Sequence, residues 1–205
     1  METKTERSEL TLAAILDASL AMAAADGLDS LTIGEVAKRL GLSKSGVFSR
    51  IGSREALQAA VIEEYGRRFL QDVFTPAMQE PRGLPRLNAI MRLWLQRARD
   101  VEIRSGCLYC AGSFEFDDRE GPLRELLLTH VQRWRSALRR TVLQAIEAGH
   151  LRDDTDADQV VFELDGLFVA LMREARFLRD PRAADRTWAA YERLVGSLQP
   201  VPSPR

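Results

Sequence analysis

Residues 31–57 read LTIGEVAKRLGLSKSGVFSRIGSREAL, and this stretch decides the fold of the first part of the chain. Thr32 and Glu35 have the spacing of a capping box, in which each side chain satisfies a backbone N–H at the start of a helix. The pattern predicts a helix from Ile33 to Leu40. Gly41 follows directly and supplies a tight turn, because glycine adopts the left-handed conformation without steric cost.

The same signals recur immediately afterwards. Ser43 is a second N-cap, and Gly52 ends the helix that it starts after barely two turns. Ser53 caps a longer helix, which we expect to run up to Phe74, two residues before a proline. Short helices joined by a glycine turn within some twenty residues form a helix-turn-helix arrangement.

Helical spacing of apolar residues extends on both sides of this motif. Further helices are predicted from Glu9 to Asp26, from Leu84 to Leu95, from Pro122 to Gly149, from Val160 to Leu178 and around Trp188 to Leu194. Gly27 is placed to end the first of these in a left-handed cap. Good helix formers dominate and β-branched alternation is scarce, so we expect an all-α protein.

Length and composition are those of a folded, globular chain. With 205 residues, 45% of them hydrophobic and 29% charged, the sequence is neither disordered nor collagen-like. Uncharged stretches such as Ser105 to Phe114 are too short to cross a bilayer, and no secretion signal is visible. We therefore expect no membrane partner and a cytoplasmic location.

Charge is distributed unevenly along the sequence. The net charge of −1, from 29 basic and 30 acidic residues, is unlike that of a general nucleic-acid binder. Between residues 36 and 54, however, five residues are basic and none is acidic: Lys38, Arg39, Lys44, Arg50 and Arg54. Removing these five charges leaves −6 on the rest of the chain. This basic stretch indicates phosphate contact at one place, although a solvated helical face explains the same charges.

The two cysteines form a Cys-x-x-Cys motif, Cys107 to Cys110. A redox pair of the thioredoxin type needs a βαβ setting, and a zinc site needs two more ligands, whereas His130 and His150 stand far apart in sequence. Buried thiols in an apolar segment are the alternative. The sequence implies no metal and no other cofactor.

The helix-turn-helix has side chains suited to DNA. Lys44, Ser45, Gly46 and Ser49 lie near the beginning and outer face of its second helix, where small or hydrogen-bonding groups reach base edges in the major groove. We expect Val47 and Phe48 to anchor this helix inward or edgewise. The alternative is that Thr32, Ser43 and Ser53 are only helix caps and that Lys38 and Arg39 are only solubilising charges.

Five segments resemble a known family: Ile15-Leu16-Asp17-Ala18, Gly27-Leu28, residues 31–37, residues 41–48 and residues 52–57. They are similar to the N-terminal DNA-binding domain of TetR/AcrR-type transcriptional repressors. The rest of the chain resembles the family in its outline of helices. The resemblance implies a homodimer on a palindromic, double-stranded operator, with a C-terminal helical domain that binds a small-molecule effector and dimerises through its last two helices.

Some positions depart from the family's pattern. Phe48 stands where the family usually has a tyrosine that reaches phosphate, and Gly46 replaces a frequent threonine. Arg50-Ile51 replaces a common His-Phe pair, and Arg54 a frequent lysine. We expect Arg50 to supply the phosphate contact that Phe48 lacks. The DNA-binding residues predicted in this way are Thr32, Lys38, Ser43, Lys44, Ser45, Gly46, Phe48, Ser49, Arg50 and Arg54.

The domain organisation follows from the same resemblance. Residues 1–52 are predicted to form the DNA-binding domain, residues 53–199 a helical bundle for effector binding and dimerisation, and residues 200–205 a Pro-rich tail. Aromatic residues that can line an effector pocket are Trp94, Tyr109, Phe114, Trp134 and Phe162, although aromatics at helical spacing more often belong to a plain core. The segment 160–178 is apolar on more than one side, which favours a dimer interface formed by Leu164, Phe168, Leu171, Trp188 and Tyr191.

Two other classes of protein fit the sequence less well. A helical di-iron enzyme needs paired Glu-x-x-His motifs, and the chain has one, from Glu147 to His150. No Walker loop, Gly-x-Ser-x-Gly or His-Glu-x-x-His is present, so an enzyme is not expected. A ligand-binding or protein-interaction module with a vestigial helix-turn-helix is the second alternative. Salt-dependent binding to duplex DNA distinguishes it from a repressor.

Overall fold

A computed structural model describes residues 4–200, and every regular element in that range is helical. The helices are α1 (Lys4–Asp26), α2 (Ile33–Leu40), α3 (Lys44–Ile51), α4 (Arg54–Phe69), α5 (Thr75–Ala77), α6 (Leu84–Arg97), α7 (Ile103–Ser105), α8 (Leu108–Glu115), α9 (Pro122–Glu147), α10 (Ala157–Met172) and α11 (Ala183–Leu198). The expected all-α class is confirmed. Of the predicted tail, residues 201–205 lie outside the described residues.

The sequence predicted that the helix beginning at Arg54 ends before Pro76, but the helical path continues past this proline. A π-helical turn, Leu70–Phe74, follows α4, and α5 continues the helical path with Pro76 inside it. In this turn the N–H of Thr75 donates to the carbonyl of Leu70, five residues back. The widened turn accommodates a residue that has no N–H to donate and whose ring clashes in a regular helix.

Helix α8 occupies the uncharged segment for which the sequence predicted no helix. It starts after Gly106, whose φ of 104° favours glycine, and Cys107 is its N-cap residue. The segment has no polar stripe, so it lacks the amphipathic period by which the other helices were found. Cys107 is buried, and Cys110 is partly exposed.

The residues fall into two compact units, and the division differs from the predicted boundary at residue 52. One unit consists of Met1–Arg68 and Ser105–His130, and the other of Phe69–Arg104 and Val131–Arg205. The first unit therefore adds α4, α8 and the beginning of α9 to the helix-turn-helix. The boundary at residue 52, which the resemblance implied, places those helices in the C-terminal domain instead.

A cluster of aromatic and polar side chains closes the first unit around α4 and α8. The Tyr65 hydroxyl donates to Cys107 Sγ (3.2 Å), and the rings of Tyr65 and Tyr109 meet edge to face with centroids 4.7 Å apart. The Tyr109 hydroxyl in turn lies 3.0 Å from His130 Nδ1. Gly66 makes room for this pair, because a Cβ there would lie 2.7 Å from both the Tyr109 hydroxyl and the His130 ring.

The core of the second unit is an aromatic cluster. The Trp94 ring stacks on Phe168 at 4.0 Å and meets Trp134 edge to face at 4.8 Å, and Phe69 packs against Trp134 at 4.8 Å. Tyr191 is 1% exposed and donates to Asn88 Oδ1 at 2.6 Å. Burial raises the pKa of Tyr191, so its phenol stays a donor.

The contacts of Gly66 generate a stability prediction. Gly66→Ala should destabilise the protein by about 1–3 kcal/mol, because the new methyl group overlaps the paired Tyr109 and His130 side chains. Gly196→Ala is the matched control, since a Cβ at that helical glycine meets nothing within 4 Å. The control should be neutral or stabilising by up to about 1 kcal/mol. Urea denaturation of both variants measures the difference, and equal midpoints would contradict the prediction.

Candidate nucleic-acid interface

The turn between α2 and α3 is closed by the devices that the sequence contains. Thr32 Oγ1 accepts from the backbone N–H of Glu35 at 3.1 Å, which caps the start of α2. Gly41 has left-handed backbone angles, φ 65° and ψ 25°, and the N–H of Leu42 donates to the carbonyl of Ala37 at 2.9 Å. This 6→1 bond is that of a Schellman cap, so the chain leaves α2 in one fixed direction.

Helix α3 is fixed at both ends and on one side. Ser43 Oγ accepts from the N–H of Gly46 at 3.0 Å, and Gly52, with φ 93°, donates to the carbonyl of Phe48 at 2.7 Å. Val47 is fully buried, whereas its neighbours on α3 are partly or largely exposed. One buried side chain therefore anchors the helix and leaves its other faces free.

The free surface of α3 carries most of the predicted DNA-binding residues. Lys44, Ser45, Phe48, Ser49 and Arg50 are exposed. Phe48 is 54% exposed, so the anchoring role expected for it falls to Val47 alone. The physical reason is helix geometry, because adjacent residues on a helix point about 100° apart and cannot share one buried direction.

Two of these side chains are oriented by the same carbonyl. Ser49 Oγ and Arg50 Nη1 both donate to the carbonyl of Gly46, at 3.0 and 2.8 Å. Lys38 on α2 is exposed, as are the cap residues Thr32 and Ser43. Both cap hydroxyls accept a hydrogen bond from the start of their helix, and the Ser43 hydroxyl also lies within hydrogen-bond distance of the Ser45 hydroxyl, at 3.3 Å.

Arg54 differs from the other predicted DNA contacts. Its Nε donates to the carbonyl of Leu31 at 2.9 Å, and its Nη2 donates to Asp29 Oδ1 at 3.1 Å and to the Asp29 carbonyl. These bonds tie the start of α4 to the loop before α2. The structure therefore gives Arg54 a positioning role within the chain, which its place in a run of basic residues did not indicate.

Glu115 on α8 and Arg119 are residues that sequence reasoning missed. The Glu115 carboxylate accepts from the backbone N–H groups of Leu28 and Asp29, at 3.0 and 2.7 Å. Arg119 forms an ion pair with Asp29, and its hydrogen bond lowers the pKa of that carboxyl. Nearly ninety positions separate the partners, so no local pattern contained a signal for them.

Gly27 permits this contact. Its φ is 86° and its ψ 160°, so it is not the left-handed cap predicted from sequence. A Cβ at this position would lie 3.0–3.2 Å from the Glu115 carboxylate. The glycine is therefore required where the carboxylate approaches the backbone, at the 3-10 turn Leu28–Ser30.

The residues predicted to line an effector pocket do not all converge. Trp94 and Trp134 meet in the aromatic core of the second unit, while Tyr109 packs on Tyr65 in the first unit. Phe114 and Phe162 are 63% and 64% exposed. Only the two tryptophans are thus brought together.

The residues predicted to form a dimer interface are mostly internal. Leu164, Phe168, Leu171 and Tyr191 are at most 6% exposed within the single chain, and Trp188 is half-buried. Residues 160–178 are apolar on more than one side, which indicated that two faces of this helix are buried. The pattern did not show which face packs within the chain and which one faces outward. The outward apolar residues of this segment are Phe162, Val169, Phe177 and Leu178.

Comparisons with known proteins agree with this architecture. Residues 15–61 match a family model described as bacterial regulatory proteins, tetR family, and residues 83–191 match one described as tetracyclin repressor-like, C-terminal domain. A search of curated proteins finds no match. Within residues 4–200, no helix is long and apolar enough to cross a membrane.

Solved structures of low sequence identity share the fold. A TetR-family transcriptional regulator from Cytophaga hutchinsonii is 18% identical and superposes with a TM-score of 0.78, covering 94% of this chain and 96% of its own. A TetR-family regulator from Streptomyces coelicolor is 18% identical with a TM-score of 0.75, covering 92% and 95%. The fatty acid degradation regulator FadR from Bacillus halodurans is 13% identical with a TM-score of 0.75, covering 92% and 100%.

The family models decide the assignment, because together they match the helix-turn-helix and more than half of the chain. The matched N-terminal region contains the capped turn and the exposed face of α3 described above. Members of this family are transcription factors and not enzymes. The chain belongs to the TetR family of DNA-binding transcriptional regulators.

Proposed function

We propose that this regulator is a repressor whose homodimer binds a palindromic operator and is released by a small-molecule effector. The observation that carries the proposal is the exposed face of α3, which lies in the acid-free basic stretch of an otherwise acidic chain. An acidic remainder disfavours contact with DNA elsewhere, so binding is directed to one surface of each chain.

On this proposal different side chains of α2 and α3 contact different parts of the DNA. Lys44, in the first turn of α3, and Lys38, on α2, contact phosphates, since both are exposed ammonium groups on flexible stems. Ser45 and Ser49 face the base edges, because serine donates to or accepts from any base. Arg50 contributes charge while its bond to the Gly46 carbonyl fixes its direction.

We assign the dimer interface to the outward face of α10 and the π-helical turn Arg173–Phe177 that follows it. Phe162 and Val169 lie two helical turns apart on this face, and Phe177 is 78% exposed. Gly166 lies between the first two and has no neighbour within 4 Å of a Cβ position, so a second backbone can approach closely there. An apolar helical stripe of this kind is costly to leave in water.

We place a small, largely apolar or amphipathic effector at the aromatic cluster of Trp94 and Trp134. The adjoining cavity, lined by Trp94, Phe168, Trp188 and Tyr191 among others, has about 10 Å³, room for a single water molecule. An effector must therefore separate the rings to enter, which makes its binding a change of conformation. A preference of about 1–3 kcal/mol for the opened state gives about 5- to 150-fold release of DNA.

The hydrogen bonds of Glu115 would carry a displacement of α8 to the turn before α2. Glu115 lies at the end of α8 and holds the backbone of Leu28 and Asp29, directly before α2. Movement of α8 would shift this turn and, with it, the spacing of the two α3 helices in a dimer.

The phosphate contact predicts a salt effect. Lys44→Ala should weaken binding to duplex DNA and reduce the slope of log affinity against log salt by about one for each bound chain. Arg193→Ala is the control, because it removes the same charge from an exposed position on α11. Fluorescence anisotropy across a salt series measures both slopes. An unchanged slope in Lys44→Ala removes this residue from the interface, and salt-independent binding by the parent chain favours the non-DNA alternative.

The dimer interface predicts a monomeric variant. Phe162→Glu should give monomers at micromolar concentration, because it places two buried charges at the centre of the interface. Phe114→Glu is the matched control, since this phenylalanine is exposed to the same extent, 63% against 64%, in the other unit. Sedimentation equilibrium distinguishes the two variants. A dimeric Phe162→Glu, or a monomeric parent chain, contradicts the assignment.

An effector site at Trp134 predicts that a substitution there changes the affinity for the effector without changing the affinity for DNA. Trp134→Phe should change the affinity for a compound that releases DNA, while binding to DNA without the compound stays as in the parent. Arg92→Ala is the comparison, because Arg92 lines the neighbouring surface groove of about 300 Å³, which shares Trp188 with the cavity but does not include Trp94 or Trp134. Tryptophan fluorescence titration gives the affinity of each variant for the compound, and fluorescence anisotropy gives its affinity for DNA. A compound affected by Arg92→Ala and unaffected by Trp134→Phe would place the effector in the groove instead.

A further inference from the structure

Phe48 is an exposed apolar side chain on a helix whose other exposed side chains are polar. It is 54% exposed, although a phenyl ring gains more than most side chains from burial. Its backbone carbonyl accepts the bond from Gly52 that ends α3, so the backbone at this residue is fixed while the ring stays outside the core. The chain itself therefore gives the ring no core position.

The position of Phe48 on α3 follows from that of the buried anchor. Ser45 and Ser49 lie two residues on either side of Val47 and so point nearly opposite to it, away from the core. Phe48 lies about a quarter turn from Val47, on one flank of the outward face. Lys44 is four residues earlier, on the same flank as Phe48.

This arrangement sets the distance between the helix and the floor of a major groove. The outward face carries small groups, Ser45 and Ser49, so the backbone of α3 can approach the bases closely. On the proposed function, Lys44 binds a phosphate on the flank that it shares with Phe48, and that phosphate belongs to the wall of the groove. The ring then lies against the side of the groove, one helical turn from the phosphate contact.

A side chain without hydrogen-bond donors or acceptors can recognise only one kind of group on the base edges of the major groove. Among the base edges in the major groove, only thymine presents an apolar group, its C5-methyl. Burying the ring against that methyl removes apolar surface of both groups from water. Against cytosine the same site has no methyl group to contact.

We propose that Phe48 is a specificity-determining residue, which recognises the C5-methyl group of one thymine in each half-site of the operator. The proposal rests on the proposed DNA-binding function and adds to it the base that this side chain reads. It makes Phe48 a source of sequence preference and not of phosphate affinity.

The test replaces thymine by deoxyuridine, which differs only by the missing methyl group. Duplexes enriched by the full-length parent chain from a random library supply the consensus, and each thymine of a half-site is then replaced in turn. At one thymine position in each half-site, replacement by deoxyuridine should lower the affinity of the parent chain about fourfold. This is the effect expected from the loss of one buried apolar carbon. Phe48→Ala should bind thymine and deoxyuridine duplexes equally.

Two controls separate a specific contact from a general loss. Phe114→Ala, which removes a comparably exposed phenyl ring (63%) outside α3, should keep the parent's preference for thymine. The salt slope of Phe48→Ala should equal that of the parent, because no charge is removed. Since the ring is largely exposed, its loss leaves no core cavity, and Phe48→Leu provides a second apolar variant that should retain part of the preference.

The outcomes distinguish this inference from the proposed function. An enriched consensus in which no deoxyuridine weakens binding, or a Phe48→Ala variant that keeps the parent's preference for thymine, overturns the role of Phe48 and leaves DNA binding intact. Failure of the parent chain to enrich any duplex contradicts the proposed function, and this inference fails with it.

Discussion

Helix α3 has eight residues, and an isolated helix of that length has no stability of its own in water. It exists because Val47 is buried, Ser43 closes its first turn and Gly52 its last. One anchor on one side leaves the remaining directions of the helix to solvent. The same constraint that makes α3 depend on the rest of the unit therefore presents its side chains to a partner.

The position of α3 depends in turn on contacts that cross long distances in sequence. Glu115 holds the turn at Leu28 and Asp29, and Arg54 holds the loop that follows it. Because the Glu115 contact comes from α8, the helix-turn-helix and part of the C-terminal half fold as one compact unit. This arrangement gives α8 a direct physical connection to the helix-turn-helix.

Sequence reasoning succeeded where the determining interactions are local. The bounds of α2 and α3 follow from caps and glycines within a few residues, so the pattern in residues 31–57 predicted both helices. It failed where the partner is distant or the pattern is ambiguous. The contacts of Glu115 with Leu28 and Asp29 had no local signal, and the apolar residues of α10 could not be divided into inner and outer faces. Leu164 and Phe168 proved internal, whereas Phe162 is outward.

The central claim is that each chain meets DNA through residues 32–54 and through no part of its acidic remainder. Hydrogen–deuterium exchange of the full-length protein, with and without an enriched duplex, tests it directly. DNA should slow exchange of the backbone amides between Thr32 and Arg54, because contact with the duplex stabilises the short helices there. Saturating DNA that leaves these amides unchanged, while protecting others, would contradict the account.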